Sequence, residues 1–334
     1  MTPAGVCPAR VDLPPADGEP VGKFARTLAR IWPEGIAGSQ ARLGLAVSGG
    51  PDSCALLLLA ATALPGRIAA ATVDHGLRAE SAAEAQFVAD LCALLKVDHA
   101  VLAVSVGQGN VQAEARIARY RALAGWAKQT GLAALASAHH ADDQAETLLL
   151  RLRRASGVAG LAGVRERGQV PDSDLPLLRP LLDWRRDELA RIVEAAGVEA
   201  VADPSNLDER FDRVRLRKAL AGTDWLDPLA MAQSAANLAD ADEALDWAAR
   251  REWDEAVHSD PPGLVYRRTA PRAVALRVIA RIVRELDGTE PRGGQVAKLF
   301  DSLDSGRAAS IGSLVARPDG HGWRFCAAER ERRS

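Results

Sequence analysis

The sequence has 334 residues, of which 48% are hydrophobic and 26% are charged, and its formal net charge is -2. This length predicts two domains, with enough apolar residues for a buried core. The near-neutral charge excludes a protein that binds nucleic acid through overall basicity, so any site for a polyanion must be a local patch.

The chain begins with residues 1–20, which include five prolines and are predicted to be a flexible lead-in rather than a signal peptide. No stretch of the sequence is long and apolar enough to span a bilayer, so no membrane partner is expected. The four scattered cysteines fit a reducing cytoplasm. Apolar residues at helical spacing then predict a helix over Val21–Trp32.

From Leu43 onward, apolar strand candidates alternate with helix candidates. Strands are predicted at Leu43–Val47, Ile68–Val73, His99–Val104 and Leu132–Ala136. Helices are predicted at Ser53–Leu64, Glu80–Leu95, Gln112–Gln129 and Asp142–Arg153. This alternation predicts an α/β fold in which helices cover both faces of a parallel, Rossmann-like sheet.

A six-residue segment, Ser48-Gly49-Gly50-Pro51-Asp52-Ser53, lies between the first strand and the next helix. Glycines let a backbone approach a phosphate closely, and the start of a helix favours an anion, so this order is typical of a phosphate-binding loop. Asp52 would repel a phosphate unless a cation intervened, which predicts a Mg²⁺ carried by a nucleotide. Taken alone, the loop is better explained by a Gly-Pro turn that Ser53 caps, because Gly/Ser loops of this kind are common.

Two other strands end in clusters of ionisable residues. The second strand runs into Asp74-His75-Gly76-Leu77-Arg78, and the fourth is followed by His139-His140-Ala141-Asp142-Asp143-Gln144-Ala145-Glu146-Thr147. Because ligands of a parallel sheet bind at the carboxyl ends of its strands, these clusters are predicted to converge with the loop. A helix cap would account for one aspartate, but not for two histidines and three acids in eight residues.

The stretch Arg154–Leu178 is rich in glycine and is predicted to be a mobile loop over the site. A helix is predicted over Trp184–Ala196. Further on, one acid, Asp212, stands among five cations in nine residues, namely Arg210, Arg213, Arg215, Arg217 and Lys218. This is the densest basic patch in the chain, although a solvated helix face would also explain it.

A domain boundary is predicted near residue 222, between a catalytic domain, residues 21–222, and a smaller, mostly helical domain, residues 223–334. Helices are predicted at Leu229–Val257, Arg272–Leu286 and Gln295–Leu303, and a hairpin over Ser313–Phe325 is predicted to turn at Asp319-Gly320. Packing in the core or between helices is predicted for Trp225, Trp247 and Trp253.

Together these motifs resemble those of the tRNA(Ile)-lysidine synthases, members of the N-type ATP pyrophosphatase superfamily. The resemblance extends from about Leu43 to Lys218. It rests on the Ser48–Ser53 loop, Asp74–Arg78, Arg116–Tyr120, His139–Thr147, Arg179-Pro180-Leu181-Leu182 and Asp203–Asn206. The loop marks only the superfamily, whereas the aspartate and histidine clusters are far more specific. One departure is Val214, because family members usually have asparagine after the residue that corresponds to Arg213.

The resemblance implies a two-step reaction on the wobble cytidine of the isoleucine tRNA whose anticodon is CAU. ATP adenylates the C2 oxygen of cytosine and releases diphosphate, and the ε-amine of free L-lysine then attacks C2 and expels AMP. The product, lysidine, changes codon reading from AUG to AUA. The implied cofactors are ATP and Mg²⁺. Members of the family are often dimeric, so the resemblance allows a homodimer, but the sequence leaves the oligomeric state open.

The resemblance also assigns roles to residues that match the motifs. Catalytic roles are predicted for Asp52, His139 and Asp143, and Asp52 and Asp143 are also the predicted metal ligands. His139 is preferred to His140 because it lies nearer the end of the strand. The residues predicted to bind ATP are Ser48, Gly49, Gly50, Pro51, Asp52, Ser53, Asp74 and His75. The residues predicted to bind lysine or tRNA are Asp74, Arg116, Arg119, Asp142, Glu146, Arg179, Arg213, Arg215 and Arg217.

Three alternative functions are compatible with a nucleotide-binding loop. A tRNA sulfur-inserting enzyme would need reactive or cluster-binding cysteines, but the four cysteines, Cys7, Cys54, Cys92 and Cys326, include no Cys-x-x-Cys pair. An amidating synthetase would need a source of ammonia, and no glutaminase domain is evident. A non-catalytic nucleotide-binding module would not need so many acids and imidazoles at one edge of the sheet.

Overall fold

In the computed structural model of the chain, the described residues are 5–38, 40–74, 81–104, 111–201, 210, 212–220, 222–223, 225–320 and 322–328. His75 and the Asp203–Asn206 turn therefore lie outside the described residues. The chain divides into two units, and the division falls between Ala239 and Asp240. The boundary near residue 222 remains a prediction.

The start of the chain contacts the first unit at several points. Val6 N donates to Glu199 O at 3.0 Å, and Asp12 N donates to Ala196 O at 3.2 Å. Cys7 and Val11 pack against the core of this unit. The described part of the predicted lead-in, from residue 5 onward, is therefore attached to the first unit.

The first unit is built on a six-stranded sheet. Its strands are β1 (Leu43–Ala46), β2 (Ile68–Asp74), β3 (Asp98–Ala103), β4 (Ala134–Ala136), β5 (Arg167–Gln169) and β6 (Pro176–Leu178). They lie in the order β3-β2-β1-β4-β6-β5, and only the β5–β6 pair is antiparallel. The predicted parallel, Rossmann-like sheet is confirmed. The β5–β6 pair lies inside Arg154–Leu178, where the glycine content predicts only a loop.

Helices surround this sheet. They are α1 (Glu19–Ile31), α2 (Pro33–Ala37), α3 (Pro51–Ala63), α4 (Ser81–Leu94), α5 (Val111–Thr130), α6 (Ala141–Leu152), α7 (Val158–Leu161), α8 (Arg186–Ala195) and α9 (Asp212–Leu220). Every residue of α3 from Ser53 to Ala60 is buried, because the helix packs between the sheet and its neighbours α1 and α8. Such all-round burial explains why this helix has no polar face.

The second unit combines helices with a second sheet. The helix α10 (Pro228–Ala256) extends from the first unit into the second. The remaining elements are β7 (Val257–Asp260), β8 (Gly263–Tyr266), α11 (Arg272–Asp287), α12 (Gly293–Asp304), β9 (Ala309–Ile311), β10 (Leu314–Asp319) and β11 (Gly322–Ala327). The strands form an antiparallel sheet in the order β7-β8-β11-β10-β9. The predicted helices and the β10–β11 hairpin are confirmed, whereas the sequence analysis missed β7, β8 and β9.

The predicted packing of three tryptophans is right for one of them. Trp253 packs against the core of the second unit. Trp225 and Trp247 are 78% and 56% exposed, so the prediction is wrong for both. In the described part of the chain, no helix combines the length and the apolar character that crossing a membrane requires.

Candidate active site

The Ser48–Ser53 segment connects β1 to α3 and is closed by one buried hydroxyl. Ser53 Oγ accepts a hydrogen bond from Ser48 N at 3.1 Å and donates one to Gly50 O at 2.9 Å. Ser53 is 6% exposed, whereas Ser48 is exposed. Ser53 therefore holds the shape of the loop, and Ser48 is the serine that a ligand can reach.

Gly49 needs to be glycine for two reasons. Its φ angle is +86°, in the left-handed region that other residues rarely adopt. A Cβ atom there would lie 3.1 Å from Val201 Cγ2, and Gly49 O already accepts a hydrogen bond from Val201 N at 2.9 Å. The loop thus packs closely against the chain that follows α8.

The acids of the loop and of α6 meet around one buried histidine, His140. Its Nε2 atom lies 3.4 Å from Asp52 Oδ2 and 3.5 Å from Asp143 Oδ2, and its Nδ1 atom lies 3.5 Å from Asp142 Oδ2. Burial disfavours the imidazolium, but the contacts with Asp142 and Asp52 outweigh it and raise the pKa of His140 to about 9. The histidine is therefore positively charged at neutral pH and offsets part of the carboxylate charge.

The three carboxylates differ in the partners that they have besides His140. Burial opposes ionisation of Asp142, but His140 and the backbone N–H of Arg186, 2.9 Å away, lower its pKa to about 2. Asp143 Oδ2 accepts a hydrogen bond from His140 N at 3.2 Å. Asp52 Oδ1 is buried and has no hydrogen-bond partner among the described residues. That oxygen is the one best placed to receive a ligand from outside the protein.

His139 lies in a different environment from its neighbour. Its Nδ1 atom is 2.9 Å from Ser137 Oγ. Burial lowers its pKa to about 4 against the opposing charge of Asp143, and the nearby Arg179 and Arg116 lower it further. His139 is thus a neutral imidazole at physiological pH. The position of His139 nearer the strand end predicts a functional role for it rather than for His140, but the carboxylates meet at His140.

Arginines beside His139 form a positively charged group. Arg179 is 7% exposed, its Nη1 donates to Arg165 O at 2.6 Å, and its Nε has no partner among the described residues. The Arg116 guanidinium lies 4.9 Å from the centre of the Tyr120 ring. Burial lowers the pKa of Arg119 and of Arg179. Arg179 is therefore an internal anion-binding candidate, whereas the sequence analysis assigns it to the phosphates of tRNA.

Glu146 is buried next to this cluster, one turn further along α6. It is 3% exposed, and its Oε1 accepts a hydrogen bond from Arg217 Nε at 2.8 Å. Its Oε2 is buried without a partner among the described residues. A carboxylate in this environment is stable only when a cation is close to it.

A cavity of about 370 Å³ opens beside Glu146. Its ionisable lining residues are Asp142, Glu146, Arg185, Arg186, Arg217 and Asp227. Its apolar lining residues include Ala145, Leu220, Leu226 and Met231. No role is predicted for Arg185 and Arg186 from the sequence. Two arginines at the start of a helix are typical of a solvated surface, so no local signal marks them.

The basic residues of α9 do not all face the same way. Arg213 and Arg215 are both exposed. Arg213 Nη2 donates to Thr147 Oγ1 at 3.2 Å, and Arg215 pairs with Asp212. Arg217 instead turns inward to Glu146. Val214, at the position where the family usually has asparagine, is 6% exposed and packs inward. Arg217 is thus part of the acid cluster rather than of the exposed basic surface.

Asp74 lies at the carboxyl end of β2, next to the end of β1 from which the loop starts. Cys54, the cysteine nearest the loop, donates from Sγ to Gly49 O at 3.3 Å. Burial raises its pKa to about 12, so the thiol stays protonated and is a poor nucleophile. This environment does not suit the sulfur-transfer alternative.

Comparison with known proteins agrees with the fold and the site. The profile of the PP-loop domain family matches residues 21–223, more than half of the chain. The protein is therefore of the PP-loop class. Proteins called tRNA(Ile)-lysidine synthase from Novosphingobium aromaticivorans and Zymomonas mobilis are 47% and 39% identical to it, over 87% and 89% of this chain and 90% and 93% of their own lengths. The chain belongs to the tRNA(Ile)-lysidine synthase family.

A solved structure supports the fold. The U34-tRNA thiolase NcsA from Methanococcus maripaludis matches with a TM-score of 0.53 over 66% of this chain and 79% of that chain. The two sequences are 14% identical, so the likeness concerns the fold alone.

Proposed function

We propose that this chain ligates L-lysine to C2 of the wobble cytidine of the CAU-anticodon tRNA(Ile), with ATP converted to AMP and diphosphate. Family membership supports this reaction. The observation that carries it is the contact between Asp52 and His140, because it brings the phosphate-binding loop and the acids of α6 into one site. Adenylation of the cytidine and attack by an amine need both groups.

The ATP phosphates would lie on the loop. The backbone of the glycines, the exposed Ser48 and the start of α3 suit an anion, and they would stabilise the diphosphate as it leaves. Asp52 Oδ1, which is buried and has no partner among the described residues, suits a Mg²⁺ ion together with Asp143. When bound, this ion would neutralise charge on the phosphates.

Lysine would occupy the cavity beside α6. Asp142 and Glu146 suit its ammonium group, since the first is ionised and the second has an oxygen without a partner among the described residues. The apolar wall around Leu220 and Met231 suits the methylene chain. The amine must lose a proton before it attacks C2, and a carboxylate within hydrogen-bond reach can accept that proton.

Two groups of arginines would hold phosphates. Arg116 and Arg179 lie near the neutral His139 and suit the phosphate of the adenylated intermediate or of the wobble nucleotide. Arg119 interacts with Arg116 and would add positive charge to this group. Arg213 and Arg215 are exposed on α9 and suit the tRNA backbone. No covalent nucleophile of the protein is needed in this scheme.

The test is a lysine incorporation assay. The protein is incubated with ATP, radiolabelled lysine and transcripts of tRNA(Ile) with the anticodon CAU or GAU. Label is expected only in the CAU transcript, and Asp52→Ala is expected to abolish release of diphosphate. Asp187→Ala, which removes an exposed acid that pairs with Arg191, is the matched control and is expected to stay active. Label in neither transcript would refute the proposed function.

A further inference from the structure

Both acidic and basic side chains line the cavity beside α6, whereas a site for a simple amine needs only acidic ones. Carboxylates alone would suffice to hold an ammonium group. Three guanidinium groups nevertheless line the same cavity, those of Arg185, Arg186 and Arg217. This mixture suits a zwitterion with an additional positive charge, such as a basic amino acid.

Two of these arginines already have close carboxylate partners. Arg217 Nε donates to Glu146 at 2.8 Å, and Arg185 pairs with Asp227, which also accepts a hydrogen bond from Leu229 N at 3.0 Å. These two pairs connect α9 to α6 and the start of α8 to the start of α10. Their guanidinium groups are therefore occupied by structural contacts.

Arg186 differs from the other two. Its closest carboxylate contact among the described residues is 4.0 Å, from Nη2 to Glu146 Oε1, which is too long for a hydrogen bond. Its side chain is 32% exposed and lines the cavity. Its backbone N–H fixes the Asp142 carboxylate at 2.9 Å, so this residue stands at the edge of the acidic site. Among the described residues, the guanidinium therefore has no hydrogen-bonded carboxylate and can accept a bidentate ligand.

We propose that Arg186 binds the α-carboxylate of the free amino acid while Asp142 and Glu146 hold its side-chain ammonium. This inference rests on the proposed function and names the group that distinguishes an amino acid from a diamine. A guanidinium binds a carboxylate through two parallel hydrogen bonds, which fixes orientation as well as affinity. The cavity volume of about 370 Å³ is in the range of sites for small molecules.

The test compares lysine with cadaverine, which has the same chain and terminal amine but no carboxylate. Binding of each radiolabelled compound to the full chain is measured by equilibrium dialysis. Arg186→Gln is expected to raise the Kd for lysine about tenfold or more, the loss typical of a charge-assisted pair, and to leave the Kd for cadaverine within about twofold. The substitution keeps the backbone N–H that holds Asp142.

Arg191→Gln provides the matched control. This arginine lies on the same helix and is 68% exposed, and it pairs with the exposed Asp187 at 3.5 Å. Its substitution is expected to leave both Kd values unchanged. In the incorporation assay, Arg186→Gln is expected to raise KM for lysine and to keep most of kcat, because the reacting amine is still held.

The outcomes separate the two proposals. If Arg186→Gln weakens lysine and cadaverine equally, or neither, or if the wild-type chain does not bind lysine, this inference is overturned. If the wild type shows binding of lysine that depends on Arg186 but never transfers it to tRNA, the inference stands and the proposed function fails. If lysine is incorporated into the CAU transcript but Arg186→Gln has no effect on lysine binding, the proposed function stands and this inference fails.

Discussion

His140 Nε2 lies 3.4 Å from Asp52 Oδ2, and this contact joins the phosphate-binding loop to α6. His140 is fully buried, and Asp142 and Asp143 also lie within 3.5 Å of its ring nitrogens. The imidazolium therefore holds three like charges together. His140 therefore stabilises the fold, because without its positive charge the carboxylates of the loop and of α6 would repel each other.

His140→Gln is accordingly expected to destabilise the first unit. Removing one partner from a buried charge cluster typically costs about 3–5 kcal/mol. Urea unfolding followed by tryptophan fluorescence measures this change. His139→Gln is the control, because His139 is neutral and bonded to Ser137, and it should cost about 1 kcal/mol. Equal stability of His140→Gln and the wild type would show that the carboxylates do not need the histidine.

The loop itself gives a second prediction. Gly49→Ala is expected to lower both stability and affinity for ATP, because a side chain would be strained at a φ of +86° and would crowd Val201. The strain alone is worth about 1–2 kcal/mol. Thermal unfolding and calorimetric titration with ATP measure the two effects.

Gly66→Ala is the control that distinguishes the effect of backbone strain from the effect of a side chain in the phosphate-binding loop. Gly66 also has a positive φ, +71°, but a Cβ there would meet nothing within 4 Å. This variant should lose a similar amount of stability and bind ATP normally. If Gly49→Ala also bound ATP normally, the loop would not be the phosphate site.

Much of this arrangement could be predicted from the sequence. The alternation of apolar strands and helices predicts the parallel sheet, and the rule that ligands bind at strand ends brings the loop and the α6 acids together. Both features depend on short stretches of chain. The sequence therefore suffices for the parallel-sheet fold and for the convergence of the loop with the acids of α6.

Other features depend on tertiary contacts that no short pattern reveals. Nothing local distinguishes His140 from His139, or Arg217 from Arg215, because which way each side chain turns is decided by packing between helices. The strands β7, β8 and β9 have only three or four residues each, too few for a clear alternation. Trp225 and Trp247 have the composition of core residues but are exposed.

Glu252 gives a prediction for the second unit. It is 5% exposed and accepts hydrogen bonds from Tyr266 Oη, Thr269 N, Thr269 Oγ1 and Ala270 N at 2.7–3.0 Å. Burial opposes ionisation, but these donors outweigh it and lower the pKa of Glu252. A carboxylate whose pKa is lowered by folding stabilises the protein above its unfolded pKa, about 4.3, and this stabilisation is lost as the pH falls through the lower folded value.

Glu252→Ala is therefore expected to lower the melting temperature of the second unit at pH 7 and to have a smaller effect under more acidic conditions. The donors left without a partner should cost about 1–3 kcal/mol at pH 7. Glu255→Ala on the same helix is the control, because Glu255 is 65% exposed and pairs only weakly with Arg251, 3.4 Å away. Equal losses at pH 7 and in acid would contradict the proposed role of the ionised carboxylate.

The exposed face of α9 gives a prediction about tRNA. Arg215→Glu is expected to weaken binding of tRNA most strongly at low salt, because the contact with a phosphate depends on counterion release. The slope of log K against log salt should fall by about 1 or more. Filter binding across a salt series measures it, and Arg191→Glu on α8 is the control for added negative charge. An unchanged slope would place the RNA elsewhere.

Arg217 should behave differently from Arg215 although both lie on α9. Its Nε donates to the buried Glu146 at 2.8 Å, so Arg217→Glu would place a second carboxylate against the first. The variant is expected to lose lysine incorporation at all salt concentrations, with a parallel loss of stability. Arg217→Lys keeps the charge but loses the planar donor, and should retain part of the activity. If Arg217→Glu instead showed only a salt-dependent loss of tRNA binding, as Arg215→Glu should, Arg217 would act on the RNA and not on Glu146.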